Sequence, residues 1–414
     1  MHIIYSISLR LGRKYNYILL IFILNGNFLK VVCQPLNKIR KALNESGFEN
    51  TRAVITEGNC FVSIENHTYR WDVMAFAKGL ELLSVNTEYS VNISLVVLEN
   101  GIPQELIIVN RTDWKQFALG LIQEQGFAGK IQVSNKTESV WKLIRKSKLN
   151  KPSTFKFDFV IYPQLFFENT RVDQLYEVQL NIAPALEYSL WKGNKFVMQA
   201  IFPIYNNLGY EGNTVRPGYL TIAQDFRLPG RWLGSVTAGN FNGGRYGSDL
   251  YIRHPFKNGR WNLELNTGLT GDSHFLDSRW IHNKMDILTW SGSLSWFYPR
   301  YDLELKAGAG RYIKQDYGVF ASCSRSFGET IIGFYLKAGE TSQNGGFFFS
   351  IPLFFKERPV RKTFRITIPS RYSLIYNAGT EHYFGQSYCA DISYDRKSSL
   401  FFTESIKNKI VNHK

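Results

Sequence analysis

Asp272-Ser273-His274, preceded by Gly271, places an acid, a nucleophile and a base in one loop. A hydrolase needs those groups to converge on one point, whereas neighbours in an extended chain point to alternate sides. The stretch therefore reads as a polar loop tip. Its rival is a lipid hydrolase or acyltransferase using Ser273 or His274. The remaining chemistry-bearing residues are scattered. His2, His67, His254, His274, His282, His382 and His413 form no HExxH and no clustered His/Asp metal spacing, and no CxxC occurs. Gly308-Ala309-Gly310 lies in a strand pattern without the helix that a dinucleotide site needs. No cofactor, no metal and no catalysis are expected.

The charge is more informative. Forty-nine Lys and Arg against 34 Asp and Glu give +15, and an excess persists without the first 33 residues. Such a surplus favours nucleic acid, an anionic lipid surface or an acidic polysaccharide as partner. No nucleic-acid motif is present and the charge forms no stripe, which sets nucleic acid aside. Lys306 falls on the polar side of an alternating strand, and Arg253 and Lys337 are candidates for the same side. Arg245 and Arg311 lie near strand ends. These five are the candidate contacts to an anionic polysaccharide in an electropositive lumen or mouth. The alternative is that they are solvated lumen residues paired with Glu187, Asp225, Asp302 and Glu304.

The elements that must position these residues fall into regions of different period. Residues 1–33 read as a signal peptide: Arg10, Arg13 and Lys14, then the apolar run Ile18 to Leu24, then a break at Asn25-Gly26-Asn27. That run is too short to span about 30 Å of hydrocarbon. Lys30 speaks against Cys33 as a lipid attachment site. Residues 34–150 read as a small α+β domain. Leu36, Ile39, Ala42 and Leu43 share a helical face ended by Gly47, and residues 51–56 and 60–65 suggest a hairpin. Val73 to Leu83 marks a second helix, residues 91–98 and 105–109 two strands, and Trp114 to Leu121 a third helix with Thr112 as its N-cap. The basic stretch 145–154 reads as a linker. Five N-x-S/T sequons, at Asn44, Asn66, Asn92, Asn110 and Asn135, fall in this domain and are not read as glycosylation.

From about residue 155 the helical period gives way to alternation. Tyr301, Leu303, Leu305, Ala307 and Ala309 alternate with Asp302, Glu304, Lys306, Gly308 and Gly310, and stretches at 180–190 and 261–270 behave alike. Further runs start near 155, 196, 219, 231, 249, 286, 317, 331, 347, 372 and 383, giving about twelve to fourteen strands. Either a soluble sandwich hides the apolar face, or a membrane barrel turns it to lipid. Strands of about ten residues fit a tilted bilayer crossing. Trp232, Trp290, Trp296, Tyr298, Tyr312 and Tyr317 near strand ends resemble interfacial girdles. Gly268, Gly308 and Gly310 ease curvature. The expected fold class is therefore mainly β: a transmembrane antiparallel β-barrel over 151–396, preceded by the α+β domain and followed by a polar basic tail, 397–414. Cys323 and Cys389 could form a bridge or remain free thiols.

The chain also resembles the YjbH/GfcD-type proteins of exopolysaccharide and capsule loci. The resemblance is carried by Gly310-Arg311-Tyr312, Asp316-Tyr317-Gly318-Val319, Ser324-Arg325-Ser326-Phe327, Gly333-Phe334-Tyr335, Gly345-Gly346-Phe347 and Ser350-Ile351-Pro352-Leu353. Upstream, Ala238-Gly239-Asn240-Phe241 and Arg245-Tyr246-Gly247 look like its hairpin. Gly47-Phe48-Glu49-Asn50, Val62 to Asn66 and Tyr69-Arg70 look like its periplasmic α/β unit. The resemblance implies an outer-membrane barrel in a Gram-negative bacterium, with a periplasmic N-terminal domain, acting in secretion or assembly of an extracellular polysaccharide. It implies outer-membrane lipid and periplasmic polysaccharide-export proteins as partners, and offers no catalytic residues. A general diffusion porin or structural barrel is the alternative within the same fold.

Overall fold

A computed structural model of the chain describes residues 36–412, apart from 88–89, 169–176, 208–209, 277, 340–342, 354, 378–384 and 399. The expected signal peptide, His382 and the strand start near 383 lie outside the described residues.

The first unit is an α+β domain. Residues 36–45 form helix α1. Strands β1 (Glu49–Thr56), β2 (Asn59–Glu65), β3 (Asn92–Glu99), β4 (Ile102–Asn110) and β5 (Gln132–Ser134) pair in that order. β2 and β3 run parallel, which the helix α2 (Asp72–Asn86) makes feasible by crossing between them. Helices α3 (Arg111–Ala118), α4 (Glu124–Ala128) and α5 (Glu138–Ile144) complete the domain. Both faces of β3 are buried: Ile93, Leu95 and Val97 join the main core with Phe48, Phe76, Leu80 and Leu83, while Val96 and Leu98 pack with Ile144 on the other side. That is why β3 reads as a continuous apolar run. α3 is capped by Asn110, whose Oδ1 accepts from the N–H groups of Thr112 and Asp113; Thr112, the expected cap, sits inside the first turn. The stretch 145–154 is stitched to the domain. Asn50 N–H donates to Lys151 carbonyl at 2.9 Å, and Asn50 Nδ2 to Ser153 Oγ at 2.7 Å.

The second unit is one large antiparallel sheet. Its strands are β6 (Phe157–Glu168), β7 (Glu177–Tyr188), β8 (Asn194–Asn206), β9 (Arg216–Leu228), β10 (Trp232–Phe241), β11 (Arg245–Pro255) and β12 (Trp261–Leu276). They continue with β13 (Arg279–His282), β14 (Ile287–Tyr298), β15 (Leu303–Arg311), β16 (Tyr317–Phe327), β17 (Thr330–Gly339) and β18 (Gln343–Pro352), then the short β19 (Phe364–Thr367) and β20 (Arg371–Asn377). Neighbours in the chain are neighbours in the sheet from β6 to β18, except that β13 is a short arm folded back on the end of β12. β20 pairs with β18 at one end of the sheet, and β19 pairs parallel with β6 at the other. Only residues 368–370 separate β19 from β20, so a single stretch of chain engages both ends.

Register sorts the side chains. Asp249 stands opposite Gly268 and Gly268 opposite Thr289; Glu264 faces Arg253 and Ser293; Lys306 faces Ser295 and Ser322. These residues share the polar face. On the other face Leu263, Leu294, Ala307, Ala321 and Leu336 form a cross-strand row. Leu265, Leu269, Leu288, Leu294, Val319, Phe334 and Leu336 are exposed there. No helix among the described residues is long and apolar enough to cross a membrane.

The last part of the chain departs from expectation. No strand forms in the described residues after 377. Residues 385–393 run across the polar face of the sheet, followed by α6 (Tyr394–Ser398) and α7 (Thr403–Asn412). The stretch read as a polar basic tail thus holds a helix that buries Ile406, Ile410 and Val411 in the core of the α+β domain. Its polar composition conceals three apolar residues on one helical face.

Candidate functional site

The polar face of the large sheet is occupied by the chain itself. Tyr388 donates its hydroxyl to Asp249 at 2.9 Å and stacks on Phe241 at 5.3 Å. Lys195 of β8 donates to Ser393 Oγ at 3.0 Å and lies 3.5 Å from Glu187 and 3.6 Å from Asp391. Tyr394 and Tyr251 both donate to Glu264 Oε2, at 2.6 and 2.9 Å. Lys397 pairs with Asp391 at 2.7 Å and with Asp225 at 3.5 Å. Arg396 reaches into the α+β domain, to Glu99 and, at 3.5 Å, to Asp72. Phe402 stacks on Phe297. Residues 385–402 are therefore held along their length by side chains of the sheet, and α7 anchors them in the domain.

This cover engages three of the five candidate cations. Lys306 is on the polar face but donates to Glu264 Oε1 at 2.7 Å and to Tyr394 Oη at 3.3 Å. Arg253 lies 4.3 Å over the ring of Phe401 and donates to Gln104 of the domain at 3.4 Å. Lys337 donates to the carbonyl of Gly385 at 2.9 Å. Arg245 is buried on the polar face, paired with Asp272 and donating to Thr270 Oγ1 at 2.8 Å. Arg311 stands opposite Trp290 and Tyr317, on the apolar face near a strand end, and donates to Leu288 carbonyl. The first four thus share one face, each engaged by protein groups, and Arg311 does not join them. Two of the acids anticipated as partners are used differently: Glu187 takes Tyr162 and Lys195, and Asp225 takes Asn100 and Lys397.

Ser273 donates to Asn240 Oδ1 at 2.6 Å and accepts from Trp280 Nε1 at 2.7 Å. Its partners are an amide and an indole, so the base that nucleophilic catalysis requires is not at its oxygen. Cys323 and Cys389 are both free thiols, and Cys323 is exposed. Cys323 stands opposite Leu305 and Phe334 on the apolar face, whereas Cys389 belongs to the segment over the polar face.

The α+β domain clasps one end of the sheet through buried ion pairs. Glu49 accepts from Lys156 at 2.9 Å and Arg361 at 2.6 Å. Asp158 accepts from Arg365 at 2.8 Å and Arg361 at 3.3 Å. Arg70 holds Glu329 through two bonds of 2.6 and 2.9 Å, and Arg227 caps the carbonyls of Pro103 and Gln104. Within the domain, burial pushes the Glu65 carboxyl up. Hydrogen bonds and charge from His67, with donors from Asn50 and Gly101, outweigh burial and hold it at about 2. Burial alone dominates at Glu105, raised to about 7 although Arg253 and Arg227 oppose it. Two cavities flank this arrangement. One, of about 260 Å³, lies at the junction of domain, sheet and covering segment and is lined by Arg358, Arg371, Tyr162 and Asp395 among others. The other, of about 600 Å³, lies at the opposite end of the sheet, among Gln164, Gln179, Asn240, Phe241, Ser273 and Trp280. Sequence reasoning missed this second cleft because its amides come from four strands and a turn.

Residues 30–218 match the model of the YjbH family, described as exopolysaccharide biosynthesis protein YbjH. No curated protein and no solved structure matches the chain. The matched stretch takes in the α+β domain except for α7, and the large sheet as far as the start of β9. Over residues 30–218 the chain is thus similar to the YjbH family, whose model is described by exopolysaccharide biosynthesis.

Proposed function

We propose that this chain is a non-catalytic outer-membrane β-barrel that takes part in secretion or assembly of an extracellular polysaccharide in a Gram-negative cell. Residues 1–33 serve as its export signal. The observation that carries the reading is the pairing of one stretch, residues 364–377, with both ends of the large sheet. If β19 and β20 close the sheet, no free edge remains, which is the condition for spanning lipid with strands. The exposed rows of Leu, Val and Phe support the same reading, since a soluble sandwich would bury them. The α+β domain sits at the end with the short turns and serves as the periplasmic docking unit for export partners. The covering segment argues against an open diffusion pore: polymer passage requires residues 385–402 to move aside, or the barrel to act as a receptor or tether.

The test is heat-modifiability in the outer-membrane fraction. A faster-migrating band without boiling is expected. A periplasmic protein with no mobility shift would overturn the reading. A null mutant should then lose surface polysaccharide, and secretion unchanged in that mutant would remove the functional half of the proposal.

A further inference from the structure

The cleft of about 600 Å³ at the end of the sheet remote from the α+β domain falls in the size range of small-ligand sites. Among the described residues that line it there is no carboxylate. Its polar groups are chiefly amides; Gln199 and Asn240 are bonded at both ends, whereas three others are fixed by one end only. Gln164 Oε1 accepts from Asn181, Gln179 Nε2 donates to Gly212 carbonyl at 3.4 Å, and Asn242 Oδ1 accepts from Cys389 N–H at 2.7 Å. Gln164 Nε2, Gln179 Oε1 and Asn242 Nδ2 are left with no protein partner among the described residues. An amide offers both a donor and an acceptor, which is what a hydroxyl-bearing ligand needs.

The apolar part is equally specific. Trp280 is 42% exposed although its indole N–H is satisfied by Ser273 and its edge is set by Phe275 at 88°. The ring is thereby held in place with its face uncovered, a platform for the C–H face of a sugar ring. The floor is Tyr219 and Phe241, both buried, and Phe241 rests on Tyr388 of the covering segment. Arg216, the cation of the lining, already donates to the carbonyls of Gly212 and Thr214.

We propose that this cleft binds a short stretch of neutral, hydroxyl-rich polysaccharide. The proposal rests on the polysaccharide reading above and names its substrate class, which differs from the anionic polymer that net charge suggests. The probes are gluco-, galacto- and manno-configured neutral hexasaccharides and a galacturonate hexasaccharide, titrated into the full-length protein in detergent and followed by tryptophan fluorescence. At least one neutral hexasaccharide should bind, and more tightly than the uronate. Trp280→Ala and Gln179→Ala should each raise its Kd by about tenfold, the loss of one good contact, while Trp280→Phe retains most of the affinity. The heat-dependent gel shift of each variant verifies that it is folded. Preference for the uronate, no neutral binding, or neutral binding indifferent to both alanine variants would each overturn the proposal. The two readings fail separately. Secretion lost in a null mutant but intact in Trp280→Ala strikes the cleft alone; neutral binding by a protein absent from the outer membrane strikes the barrel alone.

Discussion

The phenolic oxygen of Tyr388 occupies the space that a β-carbon at Gly268 would need. A strand glycine lets a second piece of backbone approach closely, and here the piece is the segment that covers the polar face. Gly268→Val should push Tyr388 off Asp249 and loosen residues 385–402. In planar bilayers its ion conductance should exceed that of the parent protein. Gly292→Ala is the control, since its added carbon would meet Leu265 at an ordinary 3.4 Å. Equal conductance in all three proteins would show that the cover does not depend on this approach.

Glu264 collects three donors, Lys306, Tyr251 and Tyr394. Tyr394→Phe removes one hydrogen bond to a charged group and should cost about 1–2 kcal/mol. Glu264→Gln should cost more, because Lys306 then faces no carboxylate at that position. Urea unfolding in micelles of the two single variants and the double variant should give a non-zero coupling. Strict additivity would mean that Tyr394 is not held by this carboxylate.

Glu105 lies in β4, buried, with neither carboxylate oxygen hydrogen-bonded. Its folded-state pKa is raised from 4.5 to about 7, chiefly by burial. Protonation therefore persists in the folded state after the unfolded chain has ionised. Stability falls as pH rises from about 4.5 to about 7 and is flat above that. Glu105→Gln should raise the thermal midpoint at pH 8 and leave it nearly unchanged at pH 4, by a margin on the order of 3 kcal/mol at most. Equal shifts at both pH values would contradict the ionisation account.

Glu65 runs the opposite way. Its carboxyl is held at about 2 in the folded domain, so its contribution is present above the ordinary carboxylate range and lost as pH falls toward 2. Glu65→Gln should destabilise the protein at pH 7 and matter little at pH 2. The difference between parent and variant unfolding curves at the two pH values measures it.

α7 is anchored by Ile406 and Ile410, exposed by no more than 2%. Ile410→Ala should cost about 2–5 kcal/mol, and Ile410→Asp should free the helix from the domain. Limited proteolysis would then cut near residues 397–403 while the sheet survives. Cleavage no faster than in the parent protein would show that the segment over the sheet, rather than α7, supplies the hold.

Much of this architecture was legible because it depends on period. Strand alternation around Lys306, Leu263 and Leu265, the Gly58-Asn59 turn and the face of Val73, Phe76 and Leu80 are local signals, and a side chain's face follows from its parity. The family resemblance was legible too, in short runs such as Gly47 to Asn50. Parity also put Lys306, Arg253 and Lys337 on the polar face correctly. It could not say what lies against that face, and the partners Tyr394, Phe401 and Gly385 come from 48 to 148 residues away in the chain.

The sequence by itself determined the change of period near residue 155, most of the strands and the apolar and polar faces of the large sheet, since these follow from nearest-neighbour geometry along the backbone. Only the tertiary structure decided that β19 pairs with the strand at one end of the sheet and β20 with the strand at the other, that residues 385–402 cover its polar face, and that a polar-looking final stretch completes the core of the first domain. Those outcomes turn on distant segments satisfying one another's charges and apolar surface, and no periodicity in the chain encodes which segment meets which.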